Sequence, residues 1–206
     1  MKSLLPLVMA VTLLSACQRE QAAAPAPEPQ TTATATPMAE APAPTPAADD
    51  TAAPAGPVSQ ASFLGYGDMK LGSTVDEARA AWGGELNGAP MEGTTCHYLW
   101  PKWITRPADF AFMMEEGKFV RYDVGTDKET APGGGKVGMS LGQLQTLYPD
   151  RGDVTPHKYD EKGHNLRVRP ATEGGALINF EINGDGNVSA WRVGQTPHVD
   201  YVEGCS

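Results

Sequence analysis

A chain of 206 residues with a formal net charge of −9 is long enough to bury one sizeable core. Its acidity repels phosphate backbones, which argues against a nucleic-acid partner. No apolar run reaches the about 20 residues that a membrane-spanning helix needs.

Met1-Lys2-Ser3 is a short cationic start, and Leu4 to Ser15 is an apolar stretch interrupted by Pro6. It is too short to span a bilayer and has the build of a signal peptide over residues 1–16. Leu14-Ser15-Ala16-Cys17 resembles the lipobox of bacterial lipoproteins. The resemblance implies that Cys17 becomes the N-terminus and carries acyl chains such as palmitate. Each buried methylene then adds about 0.8 kcal/mol of membrane affinity. By the same family rule, Gln18 where inner-membrane lipoproteins carry Asp implies an outer-membrane anchor facing the periplasm. The alternative is an ordinary secretory signal cut near Ala16.

From Cys17 to about Gln60, Ala, Pro and Thr dominate, as in Ala41-Pro42-Ala43-Pro44-Thr45-Pro46. Such a segment has too little apolar surface to offset chain entropy, and its prolines favour an extended spacer. Residues 17–60 therefore read as a lipidated cysteine and its tether, and 61–206 as a single domain. Of three cysteines, Cys96 and Cys205 remain once Cys17 carries lipid. In an oxidising compartment they are expected to pair. The bridge would close a loop of about 110 residues, worth roughly 4–5 kcal/mol on the chain-entropy model. Two free thiols are the alternative, and no CxxC or Cys/His spacing suggests a metal site.

Within the domain, Thr74-x-x-Glu77 and Ser140-x-x-Gln143 are both capping boxes. Val75, Ala78, Ala81 and Trp82 follow the first at helical spacing, and Leu141, Leu144, Leu147 and Tyr148 follow the second. Gly83 and Pro149 stop the two helices. Each is followed by strand patterns. Cys96–Trp100, Phe110–Met114 and Phe119–Val124 follow the first helix, with Glu115-Glu116-Gly117-Lys118 as a hairpin turn. Asn165–Arg169, Ala176–Ile182 and Val188–Val193 follow the second, with Asn183–Asn187 as the turn. The expected fold is α+β. Two tandem helix-plus-antiparallel-hairpin repeats, about 67–125 and 136–194, form one sheet with the helices packed on one face. Gly-Ser/Met-Thr/Ser opening a short helix, followed by antiparallel strands, resembles the repeat of the β-lactamase-inhibitor protein family. It also resembles the small outer-membrane assembly lipoproteins of the SmpA/OmlA type. The resemblance implies a protein that binds other proteins and catalyses nothing.

No constellation for chemistry stands out. Gly133-Gly134-Gly135-Lys136 lacks the first glycine and the Ser/Thr of a phosphate loop. Asn183-Gly184-Asp185-Gly186-Asn187 lacks the glycine and glutamate positions of a calcium loop. The four histidines show no paired spacing, and no nucleophile elbow exists. The reading is non-catalytic, with no cofactor and no metal. The aromatics are the remaining lead, with Trp100, Trp103, Tyr122 and Trp191 as candidate binding residues. Trp100-Pro101-Lys102-Trp103 sets two indoles round a proline in a loop, where they either anchor a partner, stack on sugar faces, or cover the edge of the core. Tyr122 and Trp191 occupy matched positions in the two repeats, which favours core packing, while Arg121 and Asp123 beside Tyr122 give that strand a polar face. The expected function is binding or scaffolding of another envelope protein. The alternative is a lectin-like carbohydrate or peptidoglycan binder.

Overall fold

A computed structural model of the chain describes residues 59–172 and 175–205. Cys17, the signal segment 1–16 and the tether up to residue 58 lie outside the described residues. The domain opens with three two-residue strands, β1 (Ala61–Ser62), β2 (Gly65–Tyr66) and β3 (Met69–Lys70), paired as a small antiparallel sheet. The strands expected from the sequence all fall in one larger sheet, and these three form a second sheet that was not expected. These opening strands are too short to show any alternation. Gly65 is required in β2: its φ is +153°, and a Cβ there would lie 1.8 Å from the Met69 carbonyl oxygen.

Helix α1 (Val75–Trp82) starts on the capping box. The Glu77 amide donates to Thr74 Oγ1 at 3.2 Å, and the Thr74 amide donates to Glu77 Oε2 at 2.7 Å. The helix ends on Gly83 in the left-handed region, at φ 69°. Helix α2 (Leu141–Leu147) has the same box from Ser140 and Gln143, but closes on Tyr148 at φ −123°.

The large sheet contains β4 (Leu86–Asn87), β5 (Cys96–Pro101), β6 (Phe110–Glu115), β7 (Lys118–Val124), β8 (Gly152–Pro156), β9 (His164–Val168), β10 (Ala176–Ile182) and β11 (Val188–Gln195). Their order is β4-β5-β6-β7-β11-β10-β9-β8, antiparallel throughout. The first-half strands therefore lie on one side of a β7–β11 seam and the second-half strands on the other. Glu116 and Gly117 turn β6 into β7 at φ 49° and 74°. Two left-handed residues in succession are what a two-residue hairpin of matching twist demands.

Strand alternation sorts the sheet into two faces. Across one face the register lines up Leu99, Phe112, Tyr122, Val193, Ile178 and Val168, all with no exposed surface. A second row runs Phe110, Val124, Trp191, Phe180 and Leu166, all buried, and ends at Val154, which is 41% exposed. Ala78 of α1 and Leu144 of α2 are fully buried in this same core. Tyr122 and Trp191 belong to it too, meeting edge to face at 6.0 Å, so neither offers a surface to a ligand.

The helices are sewn to the sheet by corresponding bonds. Gly72 N donates to Phe119 O at 2.7 Å, as Gly138 N does to Val188 O at 2.9 Å. Val75 N donates to Gly117 O and Leu141 N to Gly186 O, both at 3.2 Å. Cys96 and Cys205 form the expected disulfide, spanning 109 residues.

Candidate functional site

The other face of the sheet is polar, as the alternation of Arg121, Tyr122 and Asp123 foretells. It is nevertheless covered. After β11 the chain turns through a single 3-10 turn, His198–Asp200, and runs over that face to the Cys96 bridge. Two buried arginines hold it by its main chain. Arg121 Nη1 donates to the carbonyls of His198 and Tyr201 at 2.7 Å each, and Arg192 Nε donates to that of Val199 at 2.6 Å. Each guanidinium is also neutralised: Arg121 Nε by Asp123 at 3.0 Å, and Arg192 Nη1 by Glu181 at 2.5 Å. Desolvation pushes the Asp123 carboxyl above its ordinary range, against the pull of Arg121 and Arg192. Burial likewise pushes the Tyr98 phenol, which accepts from Arg121 Nη2 at 2.6 Å, up to about 12. A cavity of about 270 Å³ between strap and sheet is lined by these ion pairs. Arg121, Asp123 and Glu181 are committed to one another and to the strap, whereas Arg192 Nη2 and Asn179 Oδ1 on the same face are buried without a hydrogen-bond partner.

The open site lies at the C-terminal end of α1. Trp82 is the last helical residue, and Gly83 turns the chain away behind it. The turn after β5 brings Trp103 back over it. Ile104 N donates to Pro101 O at 2.9 Å, Lys102 N donates to Glu85 O at 3.3 Å, and Lys102 Nζ pairs with Glu85 at 2.6 Å. The two indoles stack with centroids 5.7 Å apart and planes at 28°. Trp82 in turn meets Phe112 edge to face at 5.3 Å, tying the stack to the sheet. Trp103 leaves 69% of its surface exposed. Beside the stack is a cleft of about 290 Å³. Tyr66, Phe110 and Ile104 line its floor, and Gln60, Thr126, Lys128 and Glu129 its polar rim. The Glu129 carboxylate lies beside the Tyr66 phenol. Burial first, and that carboxylate second, push its pKa well up, so it stays a protonated donor.

Of the residues singled out from the sequence, Trp103 stands in the cleft. Trp100 is half-buried on β5 opposite Asn87 and does not line it. Tyr66, Trp82 and Glu129 were not foreseen as site residues. Trp82 reads from spacing as plain helix core, and its position at the very end of the helix, before a left-handed glycine, is the signal that its ring is half free. Among the described residues, no three His, Cys, Asp or Glu side chains gather to hold a metal ion. No described helix is long and apolar enough to cross a membrane. The cleft thus combines an aromatic stack, an apolar floor and a polar rim, the composition common to binding clefts.

No protein-family model matches the sequence, and no curated protein matches it significantly. Among solved structures it is similar to an extracellular protein containing a SCP domain from Bacillus anthracis str. Ames, with 12% identity and a TM-score of 0.43. The match covers 68% of this chain and 49% of the other, so the chain spans about half the length of that protein.

Proposed function

We propose that this chain is a non-catalytic, lipid-anchored envelope protein that holds a partner protein in the cleft beside Trp82 and Trp103. The carrying observation is Trp103 itself, a large side chain 69% exposed yet fixed by stacking on a second indole. Exposure makes it available, and the stack lowers the side-chain entropy that binding would otherwise cost. An apolar floor inside a polar rim is the anatomy of a protein–protein contact. A protein-binding role is also what the resemblance to the β-lactamase-inhibitor and SmpA/OmlA families implies. The anchor at Cys17 on the outer membrane, facing the periplasm, rests on Leu14-Ser15-Ala16-Cys17. A long-range disulfide suits that oxidising compartment. We further infer that the two halves are copies of one helix-plus-hairpin unit, supported by the two capping boxes and the corresponding bonds from Gly72 and Gly138.

A second reading, a glycan-binding lipoprotein, is favoured by the exposed indole face ringed by Gln60, Thr126, Lys128 and Glu129, since sugars offer an apolar face edged with hydroxyls. One set of experiments separates the two. A photo-crosslinking residue at Lys102 in intact envelopes should trap a protein, and Trp103→Ala should weaken that capture at least tenfold, about 1.4 kcal/mol or more. Unchanged capture removes the cleft from the function. Pelleting with protein-free peptidoglycan sacculi that Trp103→Ala abolishes replaces the protein reading with the glycan one.

A further inference from the structure

The described part of the chain starts at the rim of the aromatic cleft. Ser59 Oγ donates to the Thr130 carbonyl at 2.5 Å, one residue beyond Glu129 on that rim. The Gln60 carbonyl accepts from Gly67 N at 2.9 Å, which fixes the main chain there. Gln60, Tyr66 and Trp82 line both the cleft beside Trp103 and a second hollow of about 440 Å³. The two hollows therefore adjoin, and the chain enters the domain where they meet.

The sequence immediately before Ser59 is Ala52-Ala53-Pro54-Ala55-Gly56-Pro57-Val58, outside the described residues. It holds no charged side chain, and its two prolines are three residues apart. A polyproline II helix has three residues per turn and rises about 3.1 Å per residue, so Pro54 and Pro57 would share one face about 9 Å apart. Aromatic-lined grooves take up this Pro-x-x-Pro spacing. The pyrrolidine rings lie flat on aromatic rings, and the extended chain leaves its carbonyls without internal partners. The cleft has the matching parts. Tyr66, Trp82 and Trp103 supply the rings, and Gln60, Thr126 and Lys128 put donors on the rim. Pro57 and Pro54 stand two and five residues before Ser59, or about 6 and 16 Å of such chain. That reach keeps both within the cleft that Ser59 borders.

We propose that residues 52–58 dock in the cleft of their own chain, with Pro54 and Pro57 against the aromatic wall. The proposal rests on the cleft being the binding site, and adds that a partner must displace this segment to reach Trp103. Proximity favours the chain's own segment over any other occupant. A short connection holds it at an effective concentration in the millimolar range, so even a weak contact keeps the cleft filled.

A photo-crosslinking residue in place of Ala55, in the full chain within its own envelope, tests the docking. The main product should be a link within one chain, mapped by mass spectrometry to Trp82, Trp103, Ile104 or Phe110. Pro54→Ala combined with Pro57→Ala should lower its yield several-fold, and so should Trp103→Ala. With the crosslinker at Lys102 instead, the double proline variant should raise capture of a partner protein several-fold. A link to other parts of the domain, to a second copy or to a different protein would overturn the proposal, as would a yield that ignores the prolines. The two readings fail separately. A link from 55 to the cleft with no protein captured at Lys102 keeps the docking and removes the partner. Capture at Lys102 that depends on Trp103, with no link from 55, does the reverse.

Discussion

The two halves of the large sheet share a scheme and differ in how they finish it. In each, a capping box starts a short helix whose N-terminus is bonded to the strand leaving the last hairpin. In the first half the core is aromatic, with Tyr66, Trp82, Phe110, Phe112 and Phe119 touching in sequence. In the second half aliphatic residues dominate, among them Leu166, Val168, Ile178 and Ile182. Rings are stiff and leave gaps at their borders, and the cleft beside Trp82 and Trp103 opens where that aromatic packing reaches the surface. Branched aliphatics fill space to the edge, and there the second half leaves main chain exposed instead. The same local wiring thus ends in an aromatic-walled cleft in one half and an exposed strand edge in the other.

The largest expected effect is at the seam that joins them. Trp191 is fully buried on β11 against Val124 of β7 and Tyr122. Trp191→Ala should cost about 3–5 kcal/mol, read as a fall in the denaturation midpoint. The comparison is sharpened if both halves unfold in one transition, and broken if one half melts first. Smaller and nearly equal losses, about 1 kcal/mol each, are expected for Thr74→Ala and Ser140→Ala, because the two caps make the same bonds. A large inequality in chemical denaturation would show that one helix depends more on tertiary packing than the other. The smallest effect separates the caps by pH. Glu77 is held below its ordinary value of 4.5 by the bond from the Thr74 backbone. Its contribution is therefore complete above that value and is lost as pH falls through the lower folded-state pKa. Gln143 does not titrate. Amide-exchange protection at Thr74 and Glu77 should decline in acid while Ser140 and Gln143 keep theirs.

Much of this architecture was legible as pattern. The capping boxes, the span of β10 and the Glu116-Gly117 turn each rest on residues close together in the chain, and so does the polar side of β7. The disulfide followed from counting. What escaped notice depends on contacts that are distant in sequence or on elements with little alternation. Gly152-Asp153-Val154-Thr155-Pro156 has one apolar residue and a terminal proline, so nothing in it marks a strand, and its pairing comes from β9. β1 to β3 are two residues each. Tyr122 and Trp191 stood as candidates because a strand aromatic looks the same on either face until the register is known. The cleft needed Tyr66, Trp82 and Trp103 brought together by three separate turns, and spacing alone could mark only the last of them as exposed.

The grip on the C-terminal strap has a consequence of its own. Arg121 spends its guanidinium on two peptide carbonyls, one phenol and one carboxylate, and Arg192 reaches a third carbonyl. A clasp that closes on peptide bonds does not read the letters attached to them. The path of the stretch 198–201 is therefore fixed largely by its main chain, with side-chain ties only from buried Val199, from Asp200 to Arg167 at 2.9 Å and from His198 against Tyr201. That hold is concentrated in two arginines whose planar, forked geometry lysine does not reproduce.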